Sequence, residues 1–173
     1  MEQTRWYQVV EEAGLELILN DSWSGSTIGY TGYYNRDCSK SSSFIYRLKQ
    51  LTENGFFINN QIDTVFVFGG TNDSWANAPL GEPKTEGIER SDLYFVLPAI
   101  NHLANRLREA QVARQVVFIG NSEIKSEILG AMRDACERCG FQYIPLSDID
   151  KIAGHPTELG MEQICRQILE AMN

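Results

Sequence analysis

Three stretches of the 173-residue chain bring together side chains with chemical capacity. Gly69-Gly70-Thr71-Asn72-Asp73 follows an apolar run, and Gly154-His155-Pro156-Thr157-Glu158-Leu159-Gly160-Met161 precedes the last amphipathic segment. The third, Asn20-Asp21-Ser22-Trp23-Ser24-Gly25-Ser26-Thr27, closes another short apolar run. An imidazole moves protons near neutral pH, while carboxamides, hydroxyls and backbone N–H groups donate hydrogen bonds to negative charge. Each stretch also has a plain structural reading. Glycines permit a tight strand-to-helix turn that Asn or Asp caps, and Pro156 fixes a turn carrying His155, with Thr157 as a helix cap. Their weight comes from falling at the same end of a predicted sheet.

The elements that must position them alternate along the chain. Thr4 to Ala13 reads as a helix with Trp6, Val9, Val10 and Ala13 on one face, stopped by Gly14. Leu15 to Leu19 reads as a short strand, and Gly29 to Ser43 as a loop too long for a mere connector. Phe44 to Glu53 is a helix. Asp63 to Phe68 is the strongest strand, a nearly continuous apolar run of the kind buried on both faces of a parallel sheet. Ser74 to Glu89 is irregular, and Ser91 to Ala110 is a long helix with Ser91 as N-cap and a kink at Pro98. A strand at Gln115 to Ile119, a helix from Ser126 to Arg138, a strand at Phe141 to Leu146 and a helix from Glu158 to Met172 complete the chain. This alternation predicts one α/β domain over residues 1–173, a doubly wound, flavodoxin-like parallel sheet between helical layers. In such sheets ligands bind beyond the carboxyl ends of the strands, where the three stretches fall.

Gly70-Thr71-Asn72-Asp73 resembles the GxND block of the SGNH, or GDSL-like, hydrolases, and His155-Pro156 through Gly160-Met161 resembles their C-terminal histidine block. The 20–27 stretch is similar to their second block, centred on Gly25. The resemblance runs from about Thr4 to the C-terminus. It implies the family's three-layer α/β/α fold and the hydrolysis of acyl esters, as in esterases and lipase-like acylhydrolases. It also implies that the Gly25 backbone N–H and the Asn72 side chain stabilise a tetrahedral oxyanion while His155 takes the proton of a serine nucleophile.

Two departures accompany the resemblance. The family's nucleophile lies in a GDS motif on a strand ahead of the Trp-bearing helix, and this sequence begins at that helix. The expectation is an N-terminally incomplete domain lacking the nucleophile and a central strand. The alternative is that Asn20-Asp21-Ser22 is itself the nucleophile block, with Ser22 as the nucleophile. The family's aspartate, three residues before the histidine, is Ile152 here, leaving Asp148, Asp150 or a backbone carbonyl to orient His155.

Composition sets the outer bounds. Hydrophobic residues make up 43% and charged residues 22%, ordinary for a soluble globular domain. A net charge of −8 argues against nucleic acid or an anionic membrane as partner. The partner expected is a small-molecule or glycan-linked ester substrate, with a homodimer if an unpaired sheet edge finds a second copy. No apolar run approaches a membrane span and Met1 to Trp6 does not read as a signal peptide, so the chain as it stands reads as cytoplasmic. No cofactor motif stands out. Cys136 and Cys139 form a CxxC, but at the end of a predicted helix rather than its start, and without partners for zinc.

Two rival functions are open. Ser24 to Gly32 superficially resembles a loop for the phosphate of FMN, although it does not run into a helix. A non-catalytic module binding esters or glycans is the other, with Trp23, Tyr30, Tyr33, Tyr34 and Trp75 as an aromatic platform.

Overall fold

A computed structural model describes residues 5–172, with side chains from Tyr7 onward; Thr4 and the Trp6 side chain therefore lie outside the described residues. Helix α1 spans Arg5–Glu12, α2 Phe44–Glu53 and α3 Phe56–Asn59, followed by strand β1, Thr64–Gly69. Then come α4 at Thr71–Trp75, α5 at Val96–Glu109, β2 at Gln115–Gly120, α6 at Ser126–Cys139 and β3 at Gln142–Pro145. A two-residue hairpin, β4 at Lys151–Ile152 and β5 at His155–Pro156, leads into α7, Glu158–Met172.

The three main strands form a parallel sheet in the order β1-β2-β3, with Thr64 opposite Gln115 and Val117 opposite Gln142. Successive side chains of a strand point to opposite faces, and the buried residues divide accordingly. Val116 and Phe118 join Val67, Ile100, Leu103, Ile128 and Met132 on one side, where α2, α5 and α6 pack. Val117 and Ile119 join Val9, Ile144, Ile164 and Ile168 on the other, where α1 packs on α7. The result is the expected three-layer α/β/α arrangement.

The departures from the sequence reading have local causes. Burial on both faces belongs to β2, whose residues from Val116 to Gly120 are all buried, rather than to β1, which is only partly covered at the edge of the described sheet. Leu15 to Leu19 is not a strand: a strand needs a hydrogen-bonded neighbour, and among the described residues none pairs with this run. Leu15, Leu17, Ile18 and Leu19 are consequently 37–47% exposed. Pro98 makes no kink, because it is the third residue of α5, where its missing N–H interrupts no helical bond. Ser91 caps nothing; it lies inside a 3₁₀ turn, Arg90–Tyr94, where the Asp92 carboxylate accepts the Glu89 N–H at 2.7 Å.

Candidate active site

The site is built where β1 ends. Gly70 takes a left-handed conformation, φ +86°, that turns the chain directly into α4, and a Cβ there would lie 2.9 Å from Met132 Cε. Only glycine meets both conditions without strain. Asn121, just past β2, donates to Thr71 Oγ1 at 2.9 Å and ties the two strand ends together.

Asn72 and Asp73 reach across to the 26–29 segment. Asn72 Nδ2 donates to the Ser26 carbonyl at 2.8 Å, while its Oδ1 accepts the Tyr33 hydroxyl at 3.0 Å. The amide is thereby fixed at both ends, and a second Nδ2 proton is left to donate. Burial, and next the Asp73 carboxylate, raise the Tyr33 pKa, which keeps the donating proton in place. Asp73 is fully buried and accepts the Ile28 N–H on both oxygens, at 2.9 and 3.0 Å, and the Gly29 N–H at 3.2 Å. Desolvation pushes its pKa up to about 6 against the opposing pull of these amides. The same bonds dispose of the FMN reading: the amides that would cradle a phosphate already hold a carboxylate.

The loop ahead of Ser26 is anchored by Arg47 of α2. Its guanidinium pairs with Asp21 Oδ2 at 2.7 Å, donates to the Asp21 carbonyl, and lies 5.6 Å from the Trp23 ring centre. Ser26 donates through Oγ to the Trp23 carbonyl at 2.7 Å, closing a turn in which Gly25 stands exposed at φ +74°. Ser22 is exposed, with its N–H on Asn20 Oδ1 at 3.1 Å, a local turn serine.

His155 comes from the β4–β5 hairpin. Ala153 and Gly154, at φ +50° and +79°, form the tight connection that brings Ile152 opposite His155. Lys151 Nζ donates to both the carbonyl and Oγ of Ser122 at 2.8 Å, fastening the hairpin to the loop after β2. Thr157 caps α7 as expected, its Oγ1 accepting the Gly160 N–H at 3.1 Å. The same hydroxyl donates to Asp150 Oδ2, which draws that carboxylate into the cap. Ile152 is 73% exposed, and among the described residues no hydrogen bond to the His155 imidazole is present. The imidazole instead meets the Trp75 indole, with ring centres 5.3 Å apart and planes at 82°.

Gly25, Asn72 and His155 all line one cavity of about 710 Å³. Ser22, Trp23 and Trp75 line it too. Its two long walls are every residue from 15 to 26 and every residue from 61 to 72. Val9 from one face of the sheet and Leu103 and Leu107 from the other line it as well, so this cavity lies beside the β1 edge, level with the sheet and between the two helical layers. The aromatic residues do not gather as a platform: Tyr30 is buried edge-on against Tyr94, and Tyr34 is fully exposed. Sequence reasoning missed Arg47, Tyr33 as an anchor of Asn72, and Asp73 as a clamp; a buried cation or acid gives no local pattern to find. The CxxC thiols are free, and burial pushes the Cys136 thiol up to about 12, an inert rather than a redox-active group. Among the described residues no cluster of His, Cys, Asp or Glu suits a metal ion, and no helix is long and apolar enough to cross a membrane.

The family model for GDSL-like Lipase/Acylhydrolase matches residues 1–172. A structure described as a GDSL-like lipase from Bacteroides ovatus is 38% identical, with a TM-score of 0.88, covering 99% of this chain and 79% of that one. Another so described, from Bacteroides uniformis, is 40% identical, with a TM-score of 0.88 and coverage of 99% and 76%. A Lactobacillus plantarum protein, 18% identical with a TM-score of 0.73 over 96% of this chain and 86% of that one, shares the fold. No curated protein gives a match. These similarities support a hydrolase function, and with the family model matched along nearly the whole sequence, the chain belongs to the GDSL-like lipase/acylhydrolase family.

Proposed function

We propose that this chain builds the catalytic end of a serine ester hydrolase, with His155 as general base and the Gly25 N–H and Asn72 Nδ2 as oxyanion donors. The observation that carries the reading is that these three residues line one cavity while Asn72, held by Tyr33 and Ser26, keeps a proton to donate. In the reaction a serine hydroxyl gives its proton to the imidazole as its oxygen bonds to the ester carbonyl carbon. The carbonyl oxygen becomes an oxyanion held by the two donors. Collapse breaks the carbon–oxygen bond to the alcohol, which leaves with the proton from His155, and water then repeats the sequence on the acyl-enzyme.

The nucleophile is a serine hydroxyl delivered into the cavity on an extended segment seated between the two walls. An in-plane space with a backbone on either side suits a strand, and a strand running parallel to β1 would end beside Asn72. Ser22, on the 15–26 wall, is the competing source. A fluorophosphonate serine probe separates the two, with the labelled peptide identified by mass. The 173-residue polypeptide should remain unlabelled at Ser22. The same chain preceded by an apolar strand ending in Gly-Asp-Ser should be labelled at the added serine and should hydrolyse p-nitrophenyl acetate. Stoichiometric labelling of Ser22 would give the role to that residue; no labelling of the extended chain would remove the seated strand.

A further inference from the structure

The family's histidine is expected to lean on an aspartate, and here that position is Ile152, 73% exposed, opposite His155 in the hairpin. The nearby Asp150 carboxylate accepts the Thr157 hydroxyl on Oδ2, and among the described residues it makes no hydrogen bond with the imidazole. A general base left to rotate freely would spend little time aimed at its substrate. What constrains it must therefore be read from what touches it.

The Trp75 indole does. It is the last residue of α4, three after Asn72, so the element that carries the oxyanion amide also projects this ring. Its plane stands at 82° to the imidazole with centres 5.3 Å apart, the edge-to-face arrangement that aromatic pairs favour. The contact extends under the turn. A Cβ on Gly154 would lie 2.7 Å from Trp75 Cζ2 and 3.1 Å from Cη2, so the indole is in close contact with the backbone immediately before His155. On the far side of the turn the Lys151 ammonium is fixed to Ser122. The hairpin is thus held at Lys151 and at Gly154, and the imidazole rests against a rigid ring.

From this we infer that Trp75 is the positioning residue for His155, an aromatic surface serving where a carboxylate would otherwise serve; the inference rests on His155 being the general base. Trp75 limits the imidazole's rotation. Since α4 carries both Asn72 and Trp75, oxyanion donor and base are set relative to each other by one turn of helix.

The chain has two histidines, which makes proton NMR a direct test. His155→Ala assigns the two sets of imidazole signals, and His102, half-buried in α5, reports on the fold. In the wild-type protein the His155 ring protons should be displaced from free-histidine positions by the indole ring current and should show cross-relaxation to indole protons. Trp75→Phe should keep a smaller displacement. Trp75→Leu should return His155 to free-histidine positions with His102 unmoved. In the form that turns over ester, Trp75→Leu should lower kcat tenfold or more with KM little changed, and Trp75→Phe should recover most of it. Wild-type His155 protons at free-histidine positions, without cross-relaxation to an indole, would overturn the inference. So would a displacement or a kcat that survives Trp75→Leu. Should Trp75→Leu disturb His102 as well, the wild-type cross-relaxation and Trp75→Phe decide. A protein showing the ring displacement but no His155-dependent ester turnover would instead count against the hydrolase reading, a failure distinct from loss of the ring contact.

Discussion

Replacing Asp73 with Asn should change how stability depends on pH, in a direction and by an amount the structure sets. Asp73 is fully buried, and its pKa rises from 3.8 to about 6 because desolvation outweighs the Ile28 and Gly29 amides. A carboxyl whose pKa is higher folded than unfolded binds protons more tightly in the native state. Its contribution is therefore fully present below pH ~4 and is lost as pH rises through about 6. The difference between 3.8 and about 6 corresponds to about 3 kcal/mol over the whole span. Roughly 2.5 kcal/mol of it falls between pH 4 and pH 7, since the unfolded carboxyl is already partly ionised at pH 4. Asn cannot ionise, so the wild-type minus Asp73→Asn difference isolates this group from every other titration. Urea unfolding of both proteins at pH 4, 5, 6 and 7 gives the measurement. The variant itself should be weakened at all pH values, because the buried carboxamide Nδ2 that replaces one oxygen faces the Ile28 N–H and is left without an acceptor, at a cost of about 1–3 kcal/mol. The wild-type advantage should shrink as pH rises. A difference that is flat from pH 4 to 7, or that grows with pH, would refute the reasoning.

Gly70→Ala should lower stability by at least about 1–3 kcal/mol, read as a drop in the urea midpoint, since it combines a left-handed backbone with a contact on Met132. Tyr33→Phe removes the hydrogen bond on Asn72 Oδ1 while keeping the ring; ester turnover should fall by about tenfold, the worth of one modest hydrogen bond, with circular dichroism unchanged. Ellman's reagent should react with Cys136 only on unfolding, and mild oxidation should leave no Cys136–Cys139 disulfide in a peptide mass map. Sedimentation should show whether the 15–26 and 61–72 walls draw two copies together; dimers that dissociate when Leu17→Glu is introduced would place the contact there.

The sequence was most legible where pattern and structure share one cause. The helices Phe44–Glu53 and Glu158–Met172 have the predicted bounds because each buries one amphipathic stripe. Thr157 was readable as a cap because the backbone N–H groups of a helix start need a local acceptor. Legibility failed where a residue's state depends on something far along the chain. Leu15 to Leu19 has the composition of a strand, yet a strand is a relation between two segments, and the described residues supply no partner. The 16-residue irregular reading of Ser74 to Glu89 overlooked that α4 extends through Trp75, a short helix set by the Gly70 turn rather than by any periodicity. In the candidate site the three block residues were found by resemblance and do line one cavity. Their supports were not, because Arg47, Tyr33 and Trp75 act across 26, 39 and 80 positions of sequence, on Asp21, Asn72 and His155.

The central claim is that His155 and Asn72 act on an ester through the cavity they share, and initial rates on p-nitrophenyl acetate test it most directly. They should be measured for the probe-reactive form of the protein and for its His155→Ala and Asn72→Ala variants, with folding verified by circular dichroism. Loss of the base should lower kcat by about 10²–10⁴, and loss of the amide by about 10²–10³. Rates unchanged by both substitutions in folded protein would contradict the account.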